Sequence, residues 1–459
     1  MTYIFYDTET TGLKNEFDQI LQLGAIKTDE ELNEIDRIVL RCRLLPHVVP
    51  SPRALQVSRT THSMLIDPGL PSYREFMSAI HARFSDWSPS VFIGFNTVSF
   101  DENFLRQGFF QTLHSVYLTN TDGNTRADIL KIARAMHLYF PGVITVPRNE
   151  DGKENFRLEK LASANGISHK AHDAMGDAEA TLALARKMKN EEPEGWNTLL
   201  NWRQKRNVSD FLYEREMVSL SDFFARSYSW VVTYCGINPE IDSQIGVFDL
   251  AHEPEDYMNL SVNELIDVLN DSPKIIRIVR ANAFPVLMPL EMTPGSLLGE
   301  KYPADLCSER ARTIRGNFDF QERVGEAIQL RYEERSPSPY PEKQIYEGFP
   351  RREDERLMQE FHSVGPGERK ILVDQIQDSR LKEFALRLVY IESPEFLSQT
   401  ERTTLEQWHS ERLFSDDPNA PWLTVRKALS EIDALIDENQ GEERERLEDL
   451  RGFIRNIRV

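Results

Sequence analysis

Apolar positions recur every second residue near the start of the chain and then change period. YIFYD, LQLGAIKT and RIVLRCRL are three short β-type runs separated by turn-length polar segments, the pattern of an antiparallel meander. SYREFMSAIHARFSDW then carries its apolar residues at helical spacing, VFIGFN reads as a short buried strand, and ENFLRQGFFQTL returns to helix. TRADILKIARAMHLYF, FRLEKLASANG and AHDAMGDAEATLALARKMKN follow as helical stretches, the second stopping at Gly166 as helices commonly do. Strands followed by alternating helices and strands predict an α/β layer fold.

This first domain is expected over residues 1–190, because EEPEGW, with Pro193 and Gly195, breaks the pattern. SYSWVVTYCG, SQIGVFDL and PKIIRIVRA, with a helical insert at SVNELIDVL, predict a small β-rich barrel or sandwich with helical embellishments over 193–336. SPSPYP, with Pro337, Pro339 and Pro341, reads as a linker. Beyond it REDERLMQEFHS, ERKILVDQI, SRLKEFALRLVYI, TTLEQWHSERLF and the stretch from WLTVRKALSEIDALI onward predict an all-α domain over 338–459.

A length of 459 residues agrees with several domains, and 40 % apolar with 28 % charged residues is the composition of a soluble globular protein. No run of about 18 apolar residues and no basic-then-apolar leader is present, so a cytoplasmic protein without a membrane partner is expected. Cys42, Cys235 and Cys307 lie far apart, which suits a reducing compartment and argues against a disulfide frame or structural zinc. A net charge of −20 argues against general attraction to phosphates. It predicts binding confined to a dedicated channel and dependent on divalent cation and salt.

Three segments carry candidate chemistry. In DTETTG, Asp7 and Glu9 point to one face of a strand, and burying two like charges there is costly unless a divalent cation sits between them. An isolated DxE is most often a solvated turn. In GFNTVSFDENFL, Asp101 stands at a helix start, the usual place of an N-cap, at an edge from which it could also reach a metal held by Asp7. In KAHDAMGDAEAT, His172 precedes Asp177 with Asp173 between them. A lone His there is more often structural, yet an imidazole beside a metal-bound water is suited to take its proton.

In this order and spacing the three segments resemble the DEDDh exonucleases, a superfamily with a ribonuclease H-like fold. Within it, FRLEKL, ANGI, AHDAMGDAEAT, GFNTVSFD and NAFPVL resemble bacterial exonuclease I, strongly over the first domain and more loosely after it. DTETTG itself is closer to the proofreading enzymes. The resemblance implies a ribonuclease H-like domain, a β-rich SH3-like domain with helical insertions and an all-α C-terminal domain. It implies processive 3′-to-5′ degradation of single-stranded DNA to 5′-mononucleotides, in DNA repair and recombination.

By the same resemblance Asp7, Glu9, Asp101 and Asp177 hold two Mg²⁺ ions, with Mn²⁺ able to substitute, and His172 is the general base. All-carboxylate ligands favour Mg²⁺ over zinc. Phe156 is expected to stack on DNA, Arg157 to hold a phosphate and Glu9 to touch substrate, with Arg106, Tyr117, Arg126 and Val57 as further contacts. NWRQKRN, with Arg203, Lys205 and Arg206, is either a track for the incoming strand or a solvated face. The implied partners of a monomer are single-stranded DNA and the acidic tail of single-stranded-DNA-binding protein. A ribonuclease trimming 3′ ends and a non-catalytic scaffold are the competing readings.

Overall fold

A computed structural model describes residues 1–169, 173–224, 226–332 and 336–459. The three predicted opening runs become β1 (Tyr3–Thr10), β2 (Ile20–Thr28) and β3 (Glu34–Arg41), paired antiparallel. β4 (Val91–Gly94) and β5 (Thr125–Asp128) add in parallel, giving a sheet of order β3-β2-β1-β4-β5. One face packs on helices Tyr73–Asp86 and Asp101–Gln111 through Ile4, Tyr6, Phe76, Phe92 and Phe104. The other packs on helices Ile129–Tyr139 and Ala174–Glu191.

β5 corrects one sequence expectation, since TRAD was read as the start of a helix. Asp128 ends that strand in extended backbone and its carboxylate accepts from the Leu130 amide at 3.0 Å, so the helix begins only at Ile129.

At the expected boundary Pro193 lies within a helix. It occupies the first turn of helix Pro193–Asn201, whose Trp196 is fully buried. Through Trp196, Leu199, Leu200 and Trp202 the core beneath the first sheet runs without a break into that of a second sheet. This is five-stranded and antiparallel, β6 (Val218–Phe223), β7 (Ser227–Ile237), β8 (Gln244–Asp249), β9 (Ile276–Arg280) and β10 (Val286–Met288), in the order β10-β6-β7-β8-β9. Its outer face is covered by helices Val262–Asn270, Ala304–Gly316 and Phe318–Leu330, helical insertions of which only the first was located from the sequence.

From Arg352 onward the chain is helical and clamps the first domain at two places. Leu357, Phe361, Phe384 and Leu388 surround Phe110 and Leu113. The last two long helices, Val425–Glu438 and Gly441–Arg455, enclose Leu21, Val49, Leu55 and Leu65. Between these clamps the segment Pro341–Gln344 crosses the first domain, where Gln107 donates to the Glu342 carbonyl at 2.9 Å. The Glu342 side chain is buried and faces two buried guanidinium groups, Arg387 at 2.8 Å and Arg412 at 3.4 Å. Arg412 lies over the rings of both Phe17 (4.7 Å) and Trp422 (4.5 Å), which joins a loop of the first domain to the C-terminal helices.

At the first clamp His81, His114 and His362 stack in a column, with centroids 4.7 Å and 3.9 Å apart. Ser78 links His114 (3.0 Å) to His362 (3.4 Å), and His362 Nε2 donates to the Leu113 carbonyl at 3.2 Å. That chain of bonds is complete with all three rings neutral. Burial first, then the neighbouring imidazoles and Arg74, push His114 down to about 2. Burial, with Arg74 and Arg369 close by, takes His362 to about 4. In an unfolded chain such groups titrate near 6.5, so the stabilisation is complete above that pH and is lost as pH falls below it. Each ring contributes up to about 1.4 kcal/mol per pH unit until its folded value is reached. Urea midpoints at pH 7 and pH 5 should therefore differ more for the wild type than for His114→Gln; equal differences would remove the column as the cause.

Candidate functional site

The end of β1 sets the first two carboxylates. Asp7 lies opposite Gly24 of β2 and Glu9 opposite Gln22. Gly24 is needed for close approach rather than for a turn, since a Cβ there would stand 2.4 Å from the Met175 amide nitrogen. The bare backbone lets the start of helix Ala174–Glu191 settle on the sheet. Asp173, just before that helix, is tied down by Gln22 Nε2 at 2.8 Å and Arg41 at 3.4 Å. One turn on, Asp177 reaches the strand end, and carboxylate oxygens of Asp7, Glu9 and Asp177 come within 4.8 Å of one another.

Asp101 lies beside this triple without joining it. It is the first residue of its helix and does not cap it; instead Oδ1 accepts from the Thr8 amide at 3.0 Å and the Thr8 hydroxyl at 2.5 Å. His172 lies outside the described residues. A different imidazole, His169, meets Asp177 through Nε2.

The electrostatics are those of buried carboxylates that repel one another. Burial, followed by Asp101, Asp177 and Glu9, holds Asp7 well above the usual carboxylate range. Glu9 is pushed up to about 8 by burial and then by Asp177 and Asp101. Asp101 reaches about 7 through burial, which its bonds from Thr8 partly offset. Hard oxygen donors that repel one another and stay on one side of a groove fit a divalent cation, whose charge would reverse these shifts.

Of the acids, Asp177 opens on a groove of about 840 Å³ between the first domain and the β6–β7 turn, where Val57, Phe156, Arg157, His169, Asp177 and Phe223 are exposed to one space. Val57 is 51 % exposed at the end of helix Pro52–Val57, so an apolar side chain faces solvent at the rim. Arg134 stands in the groove wall with its guanidinium 5.5 Å from the Phe156 ring and 5.4 Å from the Phe223 ring.

Through Arg134, Phe223 and Phe224 the groove continues into a second chamber of about 560 Å³ over the second sheet. Its lining includes Lys274, Arg277, Arg280 and Arg331, with Asp222 as the one carboxylate among the described lining residues. Arg226, Tyr228, Trp230 and Arg277 form a ladder that starts at the first groove with Arg226 and reaches this chamber with Trp230 and Arg277. Arg226 lies 4.9 Å over Tyr228, Tyr228 and Trp230 are near parallel at 5.9 Å, and Arg277 lies 3.4 Å over Trp230. The acidity of the chain as a whole is therefore absent from this track.

The other expected contacts lie elsewhere. Arg106 and Arg126 both pair with buried Glu102, at 2.8 Å and 2.9 Å, beneath the sheet, and Tyr117 packs on Arg106 and Phe349. None of the three lines either chamber. Lys205 pairs with Asp242, Arg206 with Asp210, and Arg203 donates to the Leu200 carbonyl. Arg134, Phe223, Trp230 and Arg277 were not singled out from the sequence. The spacing in RSYSW, which puts Arg226, Tyr228 and Trp230 on one strand face, was the available signal.

Two family models match: Exonuclease over residues 4–185 and Exonuclease I C-terminal domain over residues 339–457. The chain is 29 % identical over 368 residues to exodeoxyribonuclease I of Escherichia coli K12, covering 76 % of each. It is 27 % identical over 370 residues to the Haemophilus influenzae exodeoxyribonuclease I, covering 76 % of this chain and 77 % of that one. Among solved structures, exonuclease I from Methylocaldum szegediense superposes with a TM-score of 0.86 at 26 % identity, covering 99 % of both chains. The fold is also that of E. coli exonuclease I bound to a dA16 oligonucleotide, with a TM-score of 0.86 at 24 % identity and 99 % of both chains covered. With the exonuclease domain at one end, the exonuclease I C-terminal domain at the other and a common fold along the length between them, the chain belongs to the exonuclease I family.

Proposed function

We propose that the protein is a divalent-metal-dependent exonuclease that shortens single-stranded DNA from its 3′ end and releases 5′-mononucleotides. The observation that carries this reading is the convergence of Asp7 and Glu9 with Asp177, which lines a groove whose walls offer aromatic faces and arginines. Similarity to exodeoxyribonuclease I and to an exonuclease I bound to an oligonucleotide supports DNA as the substrate.

Asp7, Glu9 and Asp177, with Asp101 beside them, would hold two Mg²⁺ ions. When bound, such ions make a water acidic enough to attack phosphorus and offset charge on the leaving oxygen. The chain's own residues do the rest. His172 would take the proton of the attacking water. Phe156 would stack on a base near the 3′ end, while Val57 closes the rim beside it and Arg157 and Arg134 hold phosphates. The ladder from Arg226 to Arg277 offers the next stretch of strand two stacked rings flanked by guanidinium groups. A monomer that also meets the acidic tail of single-stranded-DNA-binding protein belongs to the same proposal.

Phe156→Ala should weaken oligonucleotide binding by about 1–3 kcal/mol, roughly 5- to 150-fold in Kd, while turnover at saturating DNA changes far less. Fluorescence anisotropy in Ca²⁺ beside steady-state turnover in Mg²⁺ separates the two; an unchanged Kd would take Phe156 out of the track. The reading as a whole is tested with 3′- and 5′-labelled oligonucleotides, DNA and RNA, single- and double-stranded, with and without Mg²⁺. Single-stranded DNA with a free 3′ end should be consumed fastest, and equal loss of RNA, or cleavage in excess EDTA, overturns it.

A further inference from the structure

His169 lies three residues before His172 and carries no part of the mechanism above. Its side chain is 7 % exposed, yet it lines the same groove as Asp177. Nε2 contacts Asp177 Oδ1, and Nδ1 is buried without a hydrogen-bond partner among the described residues. A ring nitrogen facing a carboxylate oxygen serves as donor, so Nε2 carries the proton.

The ring is held from a fixed base. The preceding helix, Leu158–Ala164, ends at Asn165 and Gly166, the latter at φ 71°, and Ile167 packs on the main core. Asn165 grips the neighbouring segment in both directions, accepting from the Thr145 amide at 2.9 Å and donating to the Thr145 carbonyl at 2.8 Å. Asp177 comes from the first turn of a different helix, so its contact with His169 joins two separate elements at the site.

We propose that His169 is a positioning residue: it fixes the Asp177 carboxylate in the orientation that converges with Asp7 and Glu9 on a divalent cation. This rests on the metal-dependent reading above. Outer groups that orient a ligating side chain typically change metal affinity 10- to 100-fold when removed. The side chain that could replace His169 is Gln, which carries an N–H to about the reach of Nε2; Leu fills the space without a donor, and Asn is too short.

Mn²⁺ binding to the full chain without DNA, by isothermal titration calorimetry, tests the assignment. His169→Leu should bind about 10- to 100-fold more weakly than wild type, and His169→Gln should recover most of the loss. Equal affinities in all three overturn the role, as does a His169→Leu chain that melts earlier without metal yet binds Mn²⁺ as wild type does. If circular dichroism shows the Leu chain unfolded, Gln against Asn decides: weaker binding by Asn supports positioning, and equal binding overturns it. A wild-type chain that takes no Mn²⁺ overturns the metal-dependent reading, and this one with it.

Discussion

Asp7→Asn should do two things at once: cut turnover by about 10³-fold or more and raise the melting temperature of the metal-free protein. The first follows because a metal-bound site supplies several kcal/mol to the transition state and each 1.4 kcal/mol is tenfold in rate. The second follows because burial and then Asp101, Asp177 and Glu9 disfavour the Asp7 carboxylate in the folded chain. A group whose folded pKa is raised keeps its proton on folding. The metal-free protein therefore loses stability as pH rises from the unfolded carboxylate range towards the value near 8 held by Glu9. Asn removes one of the repelling charges, so its advantage should be larger at pH 8 than at pH 5. Scanning calorimetry in EDTA at both pH values, beside a nuclease assay in Mg²⁺, reads both effects. Wild-type turnover in the variant would sink the catalytic assignment, and a metal-free chain that melts lower at pH 8 would sink the electrostatic one.

Glu342→Gln should destabilise the C-terminal helices by about 3–5 kcal/mol, the usual cost of leaving buried charge without its partner. The carboxylate is only 2 % exposed and faces Arg387 and Arg412, both buried themselves. Burial takes Arg412 down to about 10 even with Glu342 in place. Amide replacement keeps the shape and removes the charge, so packing is preserved while Arg412 loses its buried counter-ion and Arg387 keeps only the more exposed Glu383. Removing one of these arginines as well, in Glu342→Gln with Arg412→Met, should restore part of the loss. Urea unfolding followed by tryptophan fluorescence, to which Trp408 and Trp422 beside these arginines contribute, is the measurement. A shift below 1 kcal/mol would mean that water reaches the site.

The acids were legible because each sits where a local pattern changes. Asp7 and Glu9 end an apolar strand, Asp101 follows one, and Asp177 opens a helix with one apolar face. What joins them was not legible: Gly24, which lets the helix touch the sheet, is an ordinary residue of LQLGAIKT until its neighbour is known. β5 was hidden because four strand residues precede a helix without a break in hydrophobicity. Helix Ala304–Gly316 buries only Cys307, Arg310, Ala311 and Ile314 of its thirteen residues, so its polar sequence gave little sign that it covers a sheet. Arg106 and Arg126 carry the charge expected of DNA contacts, but no sequence pattern reveals that Glu102 lies between them. Arg134 presents the opposite case, a charged residue within a helix whose neighbours in space, Phe156 and Phe223, come from two separate parts of the chain.

The unbroken core beneath the two sheets limits how the molecule can be taken apart. Cutting the chain at residue 190 would strip Trp196, Leu199 and Leu200 from the helices they cover and leave Tyr139, Leu184 and Met188 facing water. A fragment prepared that way should be recovered as aggregate, not as a small working nuclease. For anyone seeking a minimal version, the shorter protein has to be built by replacing that seam with polar side chains, because no site for a clean excision exists along it.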